Sequence, residues 1–373
     1  MTTAAHTPAP TAPTATPAAR ASAPVDPLRI LLEGRAFFAL IAIVIAFSML
    51  SPVYFSTDNF LIMSSHVAIF GLLAIGMLLV ILTGGIDLSV GSTLGLCGVV
   101  AGWLMQGVTL ESSGVILYPP VWVVVLATCA LGAAVGAVNG LLIAFLKVPA
   151  FVATLGVMYV ARGFALLLTN GLTFNELAGK PELGNTGFHW LGFDTLAGVP
   201  VGVWVLGAVA ALGMLLLKRT PLGRWIYATG GNARAAELSG VPVRRTTMTV
   251  YMLSGVLAAL AGLVLSSQLT SAGPTAGTTY ELTAIAAVVV GGAALTGGRG
   301  TVGGTLLGAF VIGFLSDGLV IIGVSSYWQT VFTGAVIVLA VLLNSIQYGR
   351  RAPRKPAPPA APAPTSPQTG TPA

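Results

Sequence analysis

Residues 83–89 read Thr83-Gly84-Gly85-Ile86-Asp87-Leu88-Ser89, and they interrupt an apolar stretch that runs from about Val67 to Met105. A carboxylate inside such a stretch is expensive in hydrocarbon and usually has a function. The two glycines ahead of it allow a helix to break. Asp87 or Ser89 then stands where it can cap the start of the next helix. Capping and lining a path are compatible, because broken backbone at membrane depth is tolerated where it faces a cavity. Thr83, Asp87 and Ser89 are therefore the first candidates for a solute path.

The rest of the chain supports a membrane setting for this break. Of 373 residues, 55% are hydrophobic and only 8% are charged, against roughly 25% charged in soluble domains. So few charges cannot cover the surface of a soluble protein of this length, and lipid is the solvent that accepts the apolar excess. There are 47 glycines, costly in soluble helices but useful in membranes, where they let backbones approach. GxxxG spacings occur at Gly91/Gly95, Gly132/Gly136, Gly136/Gly140 and Gly304/Gly308. The formal charge of +6 does not point to nucleic acid, because the charges sit at the ends of apolar segments with no basic face. Cys97 and Cys129 both lie inside apolar segments and read as small packing residues.

Residues 1–27 and 350–373 are rich in Pro and Ala and read as disordered tails. Together the stretches 1–27 and 352–373 hold 14 of the 23 prolines. Between the tails, the transmembrane permease domain, 28–349, contains about ten apolar segments of bilayer-spanning length. They lie near 36–50, 60–82, 88–106, 121–144, 151–169, 200–217, 246–269, 280–295, 302–322 and 328–346. The expected fold class is an all-α polytopic membrane protein with an internal repeat. Placing the N-terminus in the cytoplasm puts fifteen of the seventeen Lys and Arg residues inside, as the positive-inside rule requires. Both termini are then cytoplasmic. The repeat is between TGGIDLSVGSTLG at 83–95 and TGGRGTVGGTLLG at 296–308. Interrupted segments at corresponding positions of two halves point to a transport path.

Two loops are long. The outer one, from about Asn170 to Pro200, carries Glu176, Glu182, His189, Trp190 and Asp194. The inner one, about 218–245, predicts a short helix from Ala233 to Ser239, capped by Asn232 and ended by Gly240 ahead of Pro242. Such a surface helix suits docking into a partner's cleft, or serves simply as a linker. Polar residues in apolar settings are Asn139, Thr154, Arg162, Gln268, Glu281 and Asp317. For Asn139, Thr154 and Gln268 the default role is an interhelical hydrogen bond. Arg162 either snorkels toward the outer interface or meets a solute. Glu281 either starts a helix or lines the outer mouth. No P-loop is present, so the chain does not bind ATP in that manner. Gly298-Arg-Gly-Thr-Val-Gly303 matches the dinucleotide pattern but joins two membrane spans and is rejected. No His/Cys cluster suggests a metal, no cofactor is implied and no local catalytic set appears.

Several of these stretches are familiar as a group. Gly76–Ser92, Lys147–Gly156 with Arg162-Gly163, Gly223-Arg224, Tyr227–Val241 and the stretch from Ala287 through Gly292 to Gly304 resemble the permeases of ribose, xylose, arabinose and related sugar ABC importers. The resemblance covers about residues 36–349. It implies a homodimer enclosing one path in the cytoplasmic (inner) membrane. It also implies a cytoplasmic ATPase that uses the ATP, and an extracytoplasmic sugar-binding protein. By the same resemblance the inner-loop helix is the coupling element, which singles out Arg224, Gly231, Asn232, Arg234, Ala235, Ala236, Glu237 and Gly240. The break at 84–89, with Asn139, Phe151 and Thr154, is then expected near the path.

The reading is thus a permease that moves a monosaccharide by alternating access and does no covalent chemistry of its own. Its rivals are a permease for a nucleoside, an autoinducer-like sugar or an amino acid, and a secondary transporter in which Asp87 or Glu281 carries protons.

Overall fold

The computed structural model describes residues 34–110 and 114–349. The two expected tails, 1–27 and 350–373, lie outside these residues. Twelve α-helices follow one another among the described residues: α1 (Arg35–Leu50), α2 (Thr57–Leu82), α3 (Val90–Gln106), α4 (Val121–Ala144), α5 (Ala150–Thr169), α6 (Val201–Arg219), α7 (Pro221–Gly231), α8 (Ala233–Leu238), α9 (Val243–Leu269), α10 (Tyr280–Val290), α11 (Val302–Ile321) and α12 (Ser326–Gly349). The strands are short. β1 (Val108–Leu110) pairs with β2 (Val115–Leu117), and β4 (Thr195–Leu196) with β5 (Val199–Pro200). β3 (Phe174–Asn175) pairs with β6 (Ser271–Ala272), tying the long outer loop to the end of α9.

Six helices, α2, α4, α5, α6, α9 and α11, are long and apolar enough to cross a membrane. α1, α3, α10 and the apolar part of α12 are shorter. The expected span at 280–295 is a helix of only 11 residues, about 16 Å long and half of a roughly 30 Å hydrocarbon core. It stops because Gly291 turns the chain and Gly292 takes a left-handed φ of +92°. That conformation suits glycine and ends a helix.

The layering follows burial. α2 is the central helix, with 83% of its apolar window buried, whereas α4, α5 and α6 bury 22–28% of theirs and form the outer shell. α2 is apolar all round, as a helix surrounded by others must be. It packs against α6, α9, α10 and α11. Tyr54, at its start, donates a hydrogen bond to the Phe314 carbonyl at 3.0 Å and seats the α11 end.

All four GxxxG spacings lie at close backbone contacts. Side chains added at Gly132, Gly136 and Gly140 would strike the α9 backbone at Gly255, Tyr251 and Met248. On α3, Gly91 and Gly95 face the carbonyls of Gly277 and Ala276, and on α11, Gly304 and Gly308 face Gly291 and Ala287. Without a hydrophobic drive between helices in lipid, such approach supplies much of the dispersion attraction that holds them together.

These contacts distinguish glycines that pack from glycines that do not. Gly136→Val drives its Cβ into the Tyr251 carbonyl and the Met252 Cα and lowers stability by about 1–3 kcal/mol or more. Gly156→Ala, with nothing within 4 Å of its Cβ, is neutral or stabilising by up to about 1 kcal/mol. Thermal unfolding in detergent reads both.

Candidate functional site

The break at residues 83–89 is a hydrogen-bonded knot. α2 ends at Leu82, Thr83 turns its hydroxyl back to the Val80 carbonyl at 2.8 Å, and Gly84 takes a φ of +84°. Asp87 is 2% exposed. Its Oδ1 accepts from the Ser89 amide at 3.0 Å and the Ser89 hydroxyl at 2.6 Å, and its Oδ2 accepts from the Ser254 hydroxyl of α9 at 3.1 Å. The Ser89 oxygen in turn accepts from Asn139 Nδ2 of α4 at 2.8 Å. Thr154, on α5, donates to the Ala150 carbonyl at 2.9 Å, with the Ile86 carbonyl 3.3 Å away. Three donors, two from Ser89 and one from α9, satisfy the carboxylate's charge, while α4 reaches it through Ser89 and α5 touches the neighbouring backbone.

Ser89 occupies the N-cap position of α3 but makes no side-chain cap bond. Its hydroxyl is committed to Asp87, and the carboxylate reaches forward to the Ser89 amide instead. Neither expected cap bonds a first-turn amide of α3: Asp87 accepts from the amide of the N-cap residue itself. The depth of the knot follows from α9. Ser254 stands nine residues past Arg245, about 14 Å along the helix. Two atoms here, Asn139 Oδ1 and the Tyr251 hydroxyl, are buried without a hydrogen-bond partner among the described residues.

The other expected path residues stand elsewhere. Phe151 is 56% exposed, on the outer face of α5, and does not join the knot. Arg162 is half-buried. Its Nη1 donates to the Pro274 and Ala276 carbonyls at 2.5 and 2.8 Å and holds the irregular loop 273–279 against α3. Glu281 lies in the first turn of α10, with its carboxylate beside Gly91. Gln268 donates to Ser65 Oγ at 2.7 Å, the interhelical bond expected of it. Asp317 pairs with His66 at 3.1 Å. Among the described residues no group of His, Cys, Asp and Glu could hold a metal ion.

The inner loop folds as the sequence indicates, with one addition. Asn232 Oδ1 accepts from the Ala235 amide at 3.0 Å and caps α8, and Gly240 ends it at φ +85°. Ala236 packs inward, while Arg224, Gly231, Ala235 and Leu238 are exposed, Leu238 at 75%. Arg234 and Glu237 form an exposed pair at 2.9 Å, worth little to stability. The addition is α7, capped by Thr220 with Pro221 at its first position. Pro at N1 and a Thr cap are a helix-start signal that sequence inspection can use.

α7 lies directly under both halves of the repeat. The Gly298 amide donates to the Leu82 carbonyl at 2.9 Å, so the two TGG turns touch. A Cβ at Gly230 would strike that carbonyl and approach Gly298 N. Tyr227, also on α7, donates to the Gly300 carbonyl at 2.8 Å. Burial raises the pKa of the Tyr227 hydroxyl above its ordinary value, so it remains a donor at neutral pH. Tyr227 and Gly230 carried no local signal of this role. Only the repeat hinted that the two turns correspond.

Comparison with known proteins shows the family. The family described as "Branched-chain amino acid transport system / permease component" matches residues 59–341. The chain is 45% identical to the ribose import permease protein RbsC of Escherichia coli (strain K12), over 84% of this chain and 94% of that protein. It is 46% identical to RbsC of Bacillus subtilis (strain 168), over 83% and 91%. It is 34% identical to the xylose transport system permease protein XylH of Escherichia coli (strain K12), over 82% and 90%. No solved structure matches the chain with significance. The chain belongs to the branched-chain amino acid transport system / permease component family.

Proposed function

We propose that the chain is the membrane-spanning permease of an ATP-driven importer for a monosaccharide such as ribose or xylose, inserted in the cytoplasmic membrane with about ten transmembrane segments. The observation that carries this reading is 45% identity spanning 94% of a ribose import permease. The family's own description names branched-chain amino acids, but the ribose and xylose permeases are the relatives that match nearly end to end. The distribution of Lys and Arg supports an orientation with both termini and α7–α8 in the cytoplasm. The β3–β6 pair and the loop around it then face outward, where a sugar-binding protein docks.

On this reading ATP is hydrolysed by a separate cytoplasmic subunit that receives α8, and two copies of the permease enclose the path. Gly156 and Gly163 of α5 face open space, which suits close approach by a neighbouring helix of a second copy or by lipid. Movement of α8 passes through α7 to the touching TGG turns, and so to the starts of α3 and α11. The unpartnered Tyr251 hydroxyl and Asn139 carbonyl support a knot with a second arrangement, as a bistable element requires. A secondary transporter is the other reading. In this structure Asp87 already accepts from three donors and is buried, which favours a structural carboxylate over a proton carrier.

Reconstitution in proteoliposomes separates the two. Uptake of labelled ribose or xylose is expected to need this chain, its ATPase, its binding protein and ATP together; ATP-independent uptake by this chain alone selects the secondary transporter. Leu238→Asp is expected to leave membrane insertion intact and lower ATP-driven uptake by about tenfold, read as uptake per inserted permease. Tyr227→Phe removes one hydrogen bond worth about 0.5–1.5 kcal/mol. It is expected to lower the ratio of sugar moved to ATP hydrolysed by about two- to tenfold, with thermal stability nearly unchanged.

A further inference from the structure

A cavity of about 400 Å³ opens between α10, α11 and α12, away from the knot and from the inner loop. Its wall mixes uncharged polar side chains with apolar ones, Leu282, Ile312 and Ile337 among them. Tyr280 and Thr283 come from α10, Ser316 from α11, and Gln329, Thr330 and Thr333 from α12. Thr330 and Thr283 turn their hydroxyls to the Ser326 and Thr279 carbonyls, and Gln329 Nε2 donates to the Val324 carbonyl at 2.8 Å. The hydroxyls of Tyr280, Ser316 and Thr333 make no hydrogen bond among the described residues. Polar groups left this way in hydrocarbon would be costly, so the cavity is one that water or a polar solute enters. Phe70 of α2 lies against Tyr280, ring centroids 5.0 Å apart, and gives the wall an apolar floor.

We propose that this cavity is where the solute rests within the permease, and that its chemistry selects neutral polyhydroxylated molecules over amino acids; the inference rests on the sugar-permease reading. Hydroxyl and amide side chains both donate and accept, which matches the hydroxyls of a sugar. The Phe70–Tyr280 floor offers apolar surface to the C–H face of a sugar ring. A zwitterionic amino acid would need a charged or strongly dipolar partner for each end, and the lining contains no charged side chain. The volume lies within the usual range for small-molecule sites, and no charged side chain is present to hold a ligand tightly. Weak contacts suit a site that must release its solute. Sequence inspection passes over these residues because Ser and Thr are common in membrane helices and mostly bond their own backbone.

Gly334 provides the test. It lines the cavity, and a Cβ built on it meets nothing within 4 Å. Gly334→Leu therefore adds bulk at the cavity wall from a Cβ that meets no neighbour, and it raises helix propensity. In proteoliposomes with the ATPase and binding protein, Gly334→Leu is expected to lower sugar uptake about tenfold or more while ATP hydrolysis by the complex continues. Gly334→Ala keeps uptake. Gly207→Leu, on α6 where a Cβ also meets open space, serves as the control and keeps uptake too. Wild-type uptake with unimpaired Gly334→Leu overturns the site alone. So does a joint loss of uptake and hydrolysis in Gly334→Leu, or a loss of uptake in Gly207→Leu. A wild-type complex that moves no sugar overturns the permease reading and this inference with it.

Discussion

A backbone that leaves its helix inside an apolar bundle must find a partner for every carbonyl and amide it frees. The architecture is organised around the places where this happens. At residues 83–89 the partners are Asp87, Ser89 and Thr154, with Ser254 and Asn139 anchoring the carboxylate and the serine to α9 and α4. At the second turn the Gly298 amide uses the freed Leu82 carbonyl of the first, so each interruption helps satisfy the other. At the loop before α10, Arg162 takes two carbonyls at once, a task suited to a delocalised cation with several donors. Each interruption is paired internally, and each is also a joint between helices.

Glycine sets how close those joints can come. The α4–α9 contact brings backbones together at Gly132, Gly136 and Gly140, and the α10–α11 contact does so at Gly304 and Gly308. Close approach of this kind leaves little slack, so displacement of one helix end is passed on to its neighbour rather than absorbed. The position of α7 gains its meaning here. Gly230 rests against the Leu82 carbonyl and Tyr227 holds Gly300, so one short helix touches both turns of the repeat. An input delivered to α8 reaches α3 and α11 through neighbouring backbone, with few flexible side chains between.

Polar residues within the bundle divide by whether they have partners. Asp87, Ser89, Thr154, Arg162 and Gln268 are engaged with other parts of the chain and hold helices together. Tyr280, Ser316 and Thr333 line a cavity, and their hydroxyls make no hydrogen bond among the described residues. An ionisable residue at membrane depth attracts attention in a sequence because it is rare, yet here the rare residues serve the scaffold. The free surface comes from residues common enough to be overlooked.

Some features followed from residue order alone. Composition demanded lipid, the TGG turns marked the interruptions, the GxxxG spacings marked the close helix contacts, and Asn232 with Gly240 bounded α8. These are local properties: periodicity, capping and the conformational freedom of glycine act within a few residues, and chain order records them. The resemblance in Gly76–Ser92 and Tyr227–Val241 carried the family. Chain order did not show that α10 is a half-length helix, that Phe151 faces away from the knot, that Arg162 clamps loop carbonyls, or that Tyr227 and Gly230 touch both turns. Those depend on which residues distant in sequence become neighbours, and in a bundle of similar apolar helices only the packed structure settles that choice.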